Sequence, residues 1–412
     1  MELCSNSSLN QGVEASSAVQ LSKSGSDTSL EVLHKINVPA ENTCVAAGRI
    51  YFNINSEDFQ KVLKLRSVDN IHLMVDLVNL KLNKNKDQDL EEIVAVLDRV
   101  DLIAAVKKWV AATGSKRLYL PTREEHDVAR SKQDKIFAAK LALVEFDSND
   151  NHDLLKYRVT CDRTGQNHSF SSNEAAYRFG GEINNRYNWI VALSDWDLNV
   201  ILRIQNDFAM ICYKVTIQSL HRRCLSHFGP TSLRPTIAYN MLCLAELQPG
   251  DRVVDPLCGG GSIPIECMYG FPNTIVMCGD IHDKAVERTL NNINNQETRL
   301  HMPDIFRWDA TRLPFKNHEI DAIVTDLPFG KRSGSKGNNA TLYTRLMSEF
   351  SRVLKYGVGR LVILTKDTPH LYKALKYRDP TSCWHINTIL AVNVGALKCG
   401  LLVVRRKEDD TL

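Results

Sequence analysis

The residues with the plainest chemical capacity are Thr325-Asp326-Leu327-Pro328-Phe329-Gly330. A largely apolar run over residues 320–324, interrupted by Asp321, leads into them and breaks off at an acid, a proline and an aromatic. Such a break suits the holding of a planar group by its amine. The Asp326 carboxylate can accept one N–H, and a backbone carbonyl of the Leu327–Pro328 region can accept the other, with proline restricting the backbone there. Phe329 can stack on the ring. Asp, Pro and Gly are also ordinary turn residues. Alone, the stretch therefore also fits a plain strand end, and its reading depends on what precedes it.

Upstream, Val253-Val254-Asp255-Pro256-Leu257-Cys258-Gly259-Gly260-Gly261-Ser262 reads as a strand, an acid and a glycine-rich turn opening a helix. Glycines such as Gly259 and Gly261 let the backbone approach a ligand closely. A dinucleotide site would place its third glycine at position 264, which is Pro264. Asp255, just ahead of the turn, is poorly matched to a pyrophosphate. It suits a cationic ligand without phosphate, such as S-adenosylmethionine, whose amino group and sulfonium are positive. Both features weigh against an NAD-dependent oxidoreductase. Asp280 closes the next strand, where a carboxylate can accept both ribose hydroxyls; Ile281 follows it and is assigned to the same ligand. Asp309, with Ala310, could flank an adenine. Asp255, Asp280, Asp309 and Asp326 thus each close a strand, and ligands of parallel sheets bind outside the carboxyl ends of the strands.

The elements that must position these residues alternate. Helix 238–247 is followed by strand 252–255, helix 263–268, strand 275–279, helix 284–294, strands 305–308 and 320–325, helix 342–354 and strand 360–366. Strands alternating with helices imply a parallel sheet covered on both faces. Strands 384–394 and 398–406, joined near Gly395-Ala396, add an antiparallel hairpin. That outline resembles the methyltransferase variant of the nucleotide-binding fold.

Ahead of this α/β domain, residues 1–30 are rich in Ser, Asn and Gln and read as disordered, the expected tail reaching residue 40. A small α+β unit follows over 41–115, with strand 48–54, helix 58–65, strand 71–75, polar loop 81–89 and helix 90–110. Residues 116–153 read as a linker. A second α+β unit over 154–218 carries strand 157–161, helix 172–187 weakened by Gly180-Gly181, and strands 198–204 and 209–215 joined at Gln205-Asn206-Asp207. Residues 219–235 form a basic linker.

The 412 residues carry a net charge of +3, so any nucleic-acid surface must be local. One candidate is the span 208–245, which has no Asp or Glu but holds Lys214, Arg222, Arg223 and Arg234; such a strip can attract a phosphate backbone, though a solvated linker fits it as well. The cationic, glycine-rich loop from Lys331 and Arg332 to Gly337 is another. No apolar run reaches about 18 residues, and no basic-then-apolar signal opens the chain. Eleven cysteines without a CxxC spacing suggest reduced thiols of a cytosolic or nuclear protein, with no metal site and no disulfide framework.

Three stretches make a resemblance specific: 227–239 (His227-Phe228-Gly229-Pro230 onward), Val254-Asp255-Pro256-Leu257-Cys258-Gly259, and Asp326-Leu327-Pro328-Phe329-Gly330-Lys331-Arg332. Together with Leu65-Arg66-Ser67-Val68-Asp69-Asn70, Arg158-Val159-Thr160-Cys161, Ser172-Asn173-Glu174-Ala175-Ala176 and Ser219-Leu220-His221-Arg222-Arg223, the chain resembles the THUMP-domain RNA guanine-N2 methyltransferases over most of 48–407. The resemblance implies a ferredoxin-like unit at 41–115 and a THUMP unit at 154–218 that hold a tRNA acceptor end, and a methyltransferase domain at 236–407. It implies Asp255, Gly259, Gly261, Asp280 and Asp309 for S-adenosylmethionine, and Asp326, Pro328 and Phe329 for the guanine. It also implies a small zinc-binding activator subunit as heterodimeric partner. The thiol usage sets the expected site of action in the cytoplasm, with the nucleus as a second. Two departures stand out: the family's N-terminal helix has no clear counterpart, and Gly260 stands where threonine is common. The alternatives are another RNA such as a small nuclear RNA, another amine acceptor, or a silent RNA-binding adaptor, against which the four strand-end acids argue.

Overall fold

A computed structural model describes residues 16–22, 41–46, 49–55, 58–114, 155–166, 168–187, 189–223, 225–229, 232–298, 301–328, 336–376, 383–394 and 397–408. Two compact units contain them: the first holds the described residues up to Leu21, from Glu41 to Lys64 and from Asn70 to Ile217, and the second holds Ser22, Leu65–Asp69 and the described chain from Gln218 onward.

The first unit is built from β1 (Ser16–Ser22), β2 (Glu41–Ala46), β3 (Arg49–Asn55), α1 (Phe59–Leu63), β4 (Asn70–Asn79), α2 (Lys86–Ala95), α3 (Leu102–Thr113), β5 (Lys156–Thr164), α4 (Ser172–Tyr187), β6 (Ile190–Val191), β7 (Leu198–Gln205) and β8 (Phe208–Lys214). Its eight strands follow the order β2-β3-β1-β4-β8-β7-β5-β6. Both α+β regions expected from the sequence contribute to this one sheet, because β4 pairs antiparallel with β8. β1 falls inside the stretch expected to be a tail, and its place between β3 and β4 corrects that reading for Ser16–Ser22. β7 is buried along nearly its whole length, as its run of Leu, Val and Ile requires of a strand covered on both faces.

Two local expectations change for identifiable reasons. The single helix over 90–110 is broken: α2 ends in a 3-10 turn, Val96–Asp98, and Asp101 then caps α3 by accepting the Ala104 N–H at 2.9 Å. Gly180 does not weaken α4. A Cβ there would lie 3.2 Å from Val159 Cγ2, and Tyr157 Oη donates to the Gly180 carbonyl at 2.6 Å. The glycine lets the helix lie close on β5. The expected linker and Gly395-Ala396 lie outside the described residues.

The second unit holds α5 (Pro235–Leu244), β9 (Arg252–Asp255), α6 (Ser262–Gly270), β10 (Ile275–Asp280), α7 (Asp283–Asn294), β11 (Asp304–Arg307), β12 (Ala322–Asp326), α8 (Lys336–Val353), β13 (Arg360–Thr365), α9 (Thr368–Lys376), β14 (Trp384–Val394) and β15 (Leu397–Arg406). Strand order is β11-β10-β9-β12-β13-β15-β14. The pairs from β11 to β13 are parallel, and β15 runs antiparallel to both β13 and β14. The expected parallel sheet and closing hairpin are both present. Alternation along the strands separates two apolar layers. Val324 and Val362 pack with Ile237, Met241 and Ile263 on one face, while Ile323 and Ile363 pack with Tyr343, Leu346 and Phe350 on the other. α9 adds to the expected elements: Leu371, Ala374 and Leu375 have helical spacing and are buried.

Leu65–Asp69 is tied into this second unit by polar contacts. Arg66 forks onto Glu266 at 2.8 and 2.9 Å, and Arg223 reaches the same carboxylate at 3.1 and 3.2 Å. Asp69 accepts Thr236 Oγ1 at 2.7 Å and Arg234 at 3.2 Å. Asn240 Nδ2 donates to the Ser67 carbonyl at 3.2 Å.

Candidate active site

Four neighbouring parallel strands place the four acids along one edge of the sheet. In spatial order β11-β10-β9-β12 the strand ends bring Asp309, Asp280, Asp255 and Asp326 side by side. Asp280, Asp255 and Asp326 are the last residues of their strands, and Asp309 follows β11. Parallel strands all end at the same edge, so acids far apart in sequence become neighbours.

Asp255 is buried. It accepts the Thr325 hydroxyl at 2.9 Å and the Leu257 N–H at 3.3 Å. Burial is the main cause that pushes its carboxyl up to about 7; the charge of Asp280 adds to the rise, while the bonds from Thr325 and Leu257 oppose it. Asp280 accepts the Gly259 N–H at 3.3 Å and the His282 N–H at 3.0 Å. Asp309 is lowered from the ordinary carboxylate value by the Thr311 N–H, which it accepts at 2.9 Å, and by the Thr311 hydroxyl at 2.8 Å. Ala310 is buried beside it, and Ile281 is exposed. Asp326 lies well above the ordinary carboxylate range, first through burial and then through the charge of Asp255. Its Oδ1 is enclosed and has no hydrogen-bond partner among the described residues.

The glycine-rich turn is held from outside itself. Gly259 and Gly261 have φ of +58° and +85°, a region that favours glycine. A Cβ on Gly261 would stand 3.0 Å from Thr289 Cγ2, and Thr289 Oγ1 donates to the Gly259 carbonyl at 3.2 Å. The buried Asn292 donates to the carbonyls of Gly260 and His227 at 2.8 and 2.9 Å, and accepts the N–H groups of Ser226 and His227. Thr289, Asn292, Thr325 and Tyr343 were missed as site residues. The signal was available for two of them: Thr289 and Asn292 are polar residues on the same helical face as Ala285 and Ile293, all buried. At Gly260, an added Cβ would meet nothing closer than 3.9 Å, so the threonine usual there would find room.

Gly279 sets the spacing between β10 and β11. An added Cβ would meet the Phe306 carbonyl oxygen at 2.5 Å and Trp308 Cε2 at 2.6 Å, while the Trp308 N–H donates to the Pro256 carbonyl at 3.1 Å. Gly279→Ala should therefore cost about 1–3 kcal/mol by overpacking and displace Asp280 next to it. A thermal melt checks this, and an unchanged midpoint would show that the strand yields freely.

The basic strip is only partly available. Arg222 is exposed, but Arg223 is turned onto Glu266 and also donates to the Arg66 carbonyl, and Arg234 pairs with Asp69. The assignment of Arg223 to RNA is corrected accordingly: its guanidinium is committed to a carboxylate with no exposed surface. Phe329, Lys331 and Arg332 lie outside the described residues, while Pro328 is in place with its carbonyl accepting Tyr343 Oη at 3.1 Å. Among the described residues, no cluster of three or more His, Cys, Asp or Glu could hold a metal ion, and no helix is long and apolar enough to cross a membrane.

The arrangement fits S-adenosylmethionine on its own terms. A row of strand-end carboxyl groups, one of them with an unpartnered oxygen, suits a ligand with positive charge and hydroxyl groups.

Comparison with known proteins agrees with this chemistry. The family model of the RMKL-like methyltransferase domain matches residues 222–393. The tRNA (guanine(6)-N(2))-methyltransferase THUMP3 of Bos taurus is 32% identical over 416 residues, covering 87% of this chain and 82% of that protein. The U6 snRNA (guanine-N(2))-methyltransferase THUMPD2 of Bos taurus is 25% identical over 221 residues, covering 53% and 42%. The crystal structure of TrmN from Thermus thermophilus superposes with a TM-score of 0.70 at 22% identity, covering 95% of this chain and 99% of that one. The α/β fold is that of the Rossmann-like class I methyltransferases. On an identity of that level and extent, the chain belongs to the family of the THUMP3 tRNA guanine-N2 methyltransferases.

Proposed function

We propose that the chain methylates the exocyclic N2 of a guanosine in tRNA, with S-adenosylmethionine as donor. The observation that carries the reading is the row of four strand-end carboxylates finishing in the buried, unpartnered Asp326 Oδ1. Position 6, named for the THUMP3 relatives, is the position to test first.

S-adenosylmethionine, when bound, supplies an electrophilic methyl group on a sulfonium. The residues to hold it are Asp255, Gly259, Gly261, Asp280, Ile281, Asp309 and Ala310. The guanine amine is a poor nucleophile because its lone pair is delocalised into the ring. Asp326 and the Pro328 carbonyl accept its two N–H bonds, raise electron density on nitrogen and fix its direction, while Phe329 holds the base plane. Asp326 takes the proton late, once the amine has become acidic. A base within a stem must first leave its stack, at a cost of a few kcal/mol.

The first unit serves as ferredoxin-like and THUMP region for the tRNA acceptor end, a role supported by the motifs it shares with that family. Arg222, Lys331 and Arg332 contribute phosphate contacts. A small zinc-binding activator is the expected partner; β11 is an edge strand that exposes Phe306, with Met302 and Ile281 exposed nearby, and such an edge can accept an added strand. The enzyme acts in the cytoplasm, with the nucleus as a second site. The identity to a U6 snRNA methyltransferase favours a second reading, a small nuclear RNA substrate.

Mass spectrometry of tRNA nucleosides from cells with and without the gene, followed by mapping of the missing methyl group, tests the proposal. An unchanged N2-methylguanosine content in tRNA, with a loss in small nuclear RNA, would move the substrate to the second reading.

Cofactor binding should depend on pH. Asp255 carries a folded-state pKa of about 7 against 3.8. A raised carboxyl stabilises the fold below the lower value, and that contribution is lost as pH rises through about 7. Binding a cation requires the ionised form, so cofactor affinity should fall by up to about tenfold per pH unit on acidification below pH 7. Calorimetric titration measures it, and Asp255→Asn should flatten the profile while binding more weakly at pH 8. A flat profile in the unsubstituted protein would remove Asp255 from the cofactor site.

A further inference from the structure

We propose that Tyr343 is a positioning residue for methyl transfer, fixing the Pro328 carbonyl so that it can receive the amine. The inference rests on the reading of Asp326 and Pro328 as the amine's acceptors.

Tyr343 lies in α8 with no exposed surface, among Leu346, Met347 and Phe350. Packing accounts for its ring but not for its hydroxyl, since phenylalanine would fill nearly the same volume. The hydroxyl is 3.1 Å from the Pro328 carbonyl oxygen and 3.1 Å from Thr365 Oγ1. A carbonyl can only accept, so the single phenolic proton goes to Pro328. Thr365 must then donate to Tyr343, and its own oxygen accepts the Asp367 N–H at 3.0 Å. Thr365 is the last residue of β13 and is fully buried. The directions of the whole chain are therefore set: Asp367 N–H to Thr365, Thr365 O–H to Tyr343, Tyr343 O–H to Pro328.

The preceding residue is anchored to the same strand, because the Leu327 N–H donates to the Leu364 carbonyl at 2.9 Å. Both polar handles of the Leu327–Pro328 turn are thus referred to the end of β13, one directly and one through Tyr343. The Pro328 carbonyl keeps a second lone pair, and Asp326 Oδ1 stays without a partner among the described residues. Two acceptors remain, one on each side of Leu327, which is the number a primary amine's two N–H bonds need.

The test uses the full-length chain, S-adenosylmethionine and tRNA, in the preparation that gives turnover with the unsubstituted protein. Tyr343→Phe should lower kcat by about tenfold or more, with the cofactor Kd and the KM for tRNA within about twofold. Thr365→Val should act in the same direction. The double variant should be no slower than the slower single one, because both break one chain. Thr365→Ser, which keeps the hydroxyl, should retain kcat. Turnover of Tyr343→Phe equal to the unsubstituted protein, with Asp326→Ala inactive, overturns the inference and leaves the amine-holding reading standing. Equal losses of kcat and cofactor binding in Tyr343→Phe also overturn it, since they show a role in the fold alone. An active Asp326→Ala overturns the reading on which the inference rests.

Discussion

Asp326→Ala is expected to lower methyl transfer by at least about 10²–10³-fold, the scale found when one preorganised polar contact to a reacting group is removed, while cofactor affinity stays within a few-fold. The opposite behaviour of stability makes the expectation specific. Asp326 Oδ1 is enclosed without a partner, and burial together with the charge of Asp255 holds its carboxyl well above the ordinary range. An unsatisfied buried acceptor costs about 1–3 kcal/mol. Removing it should leave the melting midpoint unchanged or higher, against the small cavity left by the lost carboxyl. Loss of turnover without loss of stability is the signature of a group kept for chemistry at the expense of the fold. Single-turnover kinetics and a thermal melt on the same sample measure both, and normal turnover in this variant would remove Asp326 from the reaction.

Glu266→Ala should have the largest effect on stability, about 3 kcal/mol or more, the usual result of removing one partner from a buried ion pair. Glu266 has no exposed surface and receives both Arg66 and Arg223, whose side chains are themselves largely covered. Without it, two guanidinium groups face each other with no anion between them. Arg66 lies on Leu65–Asp69, so the substitution should also release that segment from α6. Calorimetry would record the fall in midpoint, and hydrogen exchange would show early opening at 65–69. Glu266→Gln keeps the acceptor oxygen and should cost less. A midpoint within one degree of the unsubstituted protein would mean that the cluster is incidental to the fold.

Sequence alone determined the parts of this protein whose rules are local. Alternating strands and helices from residue 252 to 366 gave the parallel sheet because each element needs only its own periodicity to be recognised. A glycine turn between a strand and a helix is legible as a place where a ligand could approach the backbone, and four acids closing strands are legible as residues of one sheet edge. Local rules also mislead at two places: Gly180, a helix breaker by propensity, permits close packing on β5, and Asp101 caps a new helix inside the 90–110 stretch.

Tertiary structure decided what depends on residues far apart in the chain. Only the strand order showed that Asp309, Asp280, Asp255 and Asp326 stand in that sequence along one edge. Only the fold showed that Arg223 belongs to Glu266 and not to a phosphate, since a cation's partner is set by distance and burial, not by the charge of its neighbours in sequence. The same holds for Asn292, which staples two loops, and for Tyr343, which reaches back to Pro328. Their side chains look like helix-face residues when read in line, and their partners appear only when the chain closes.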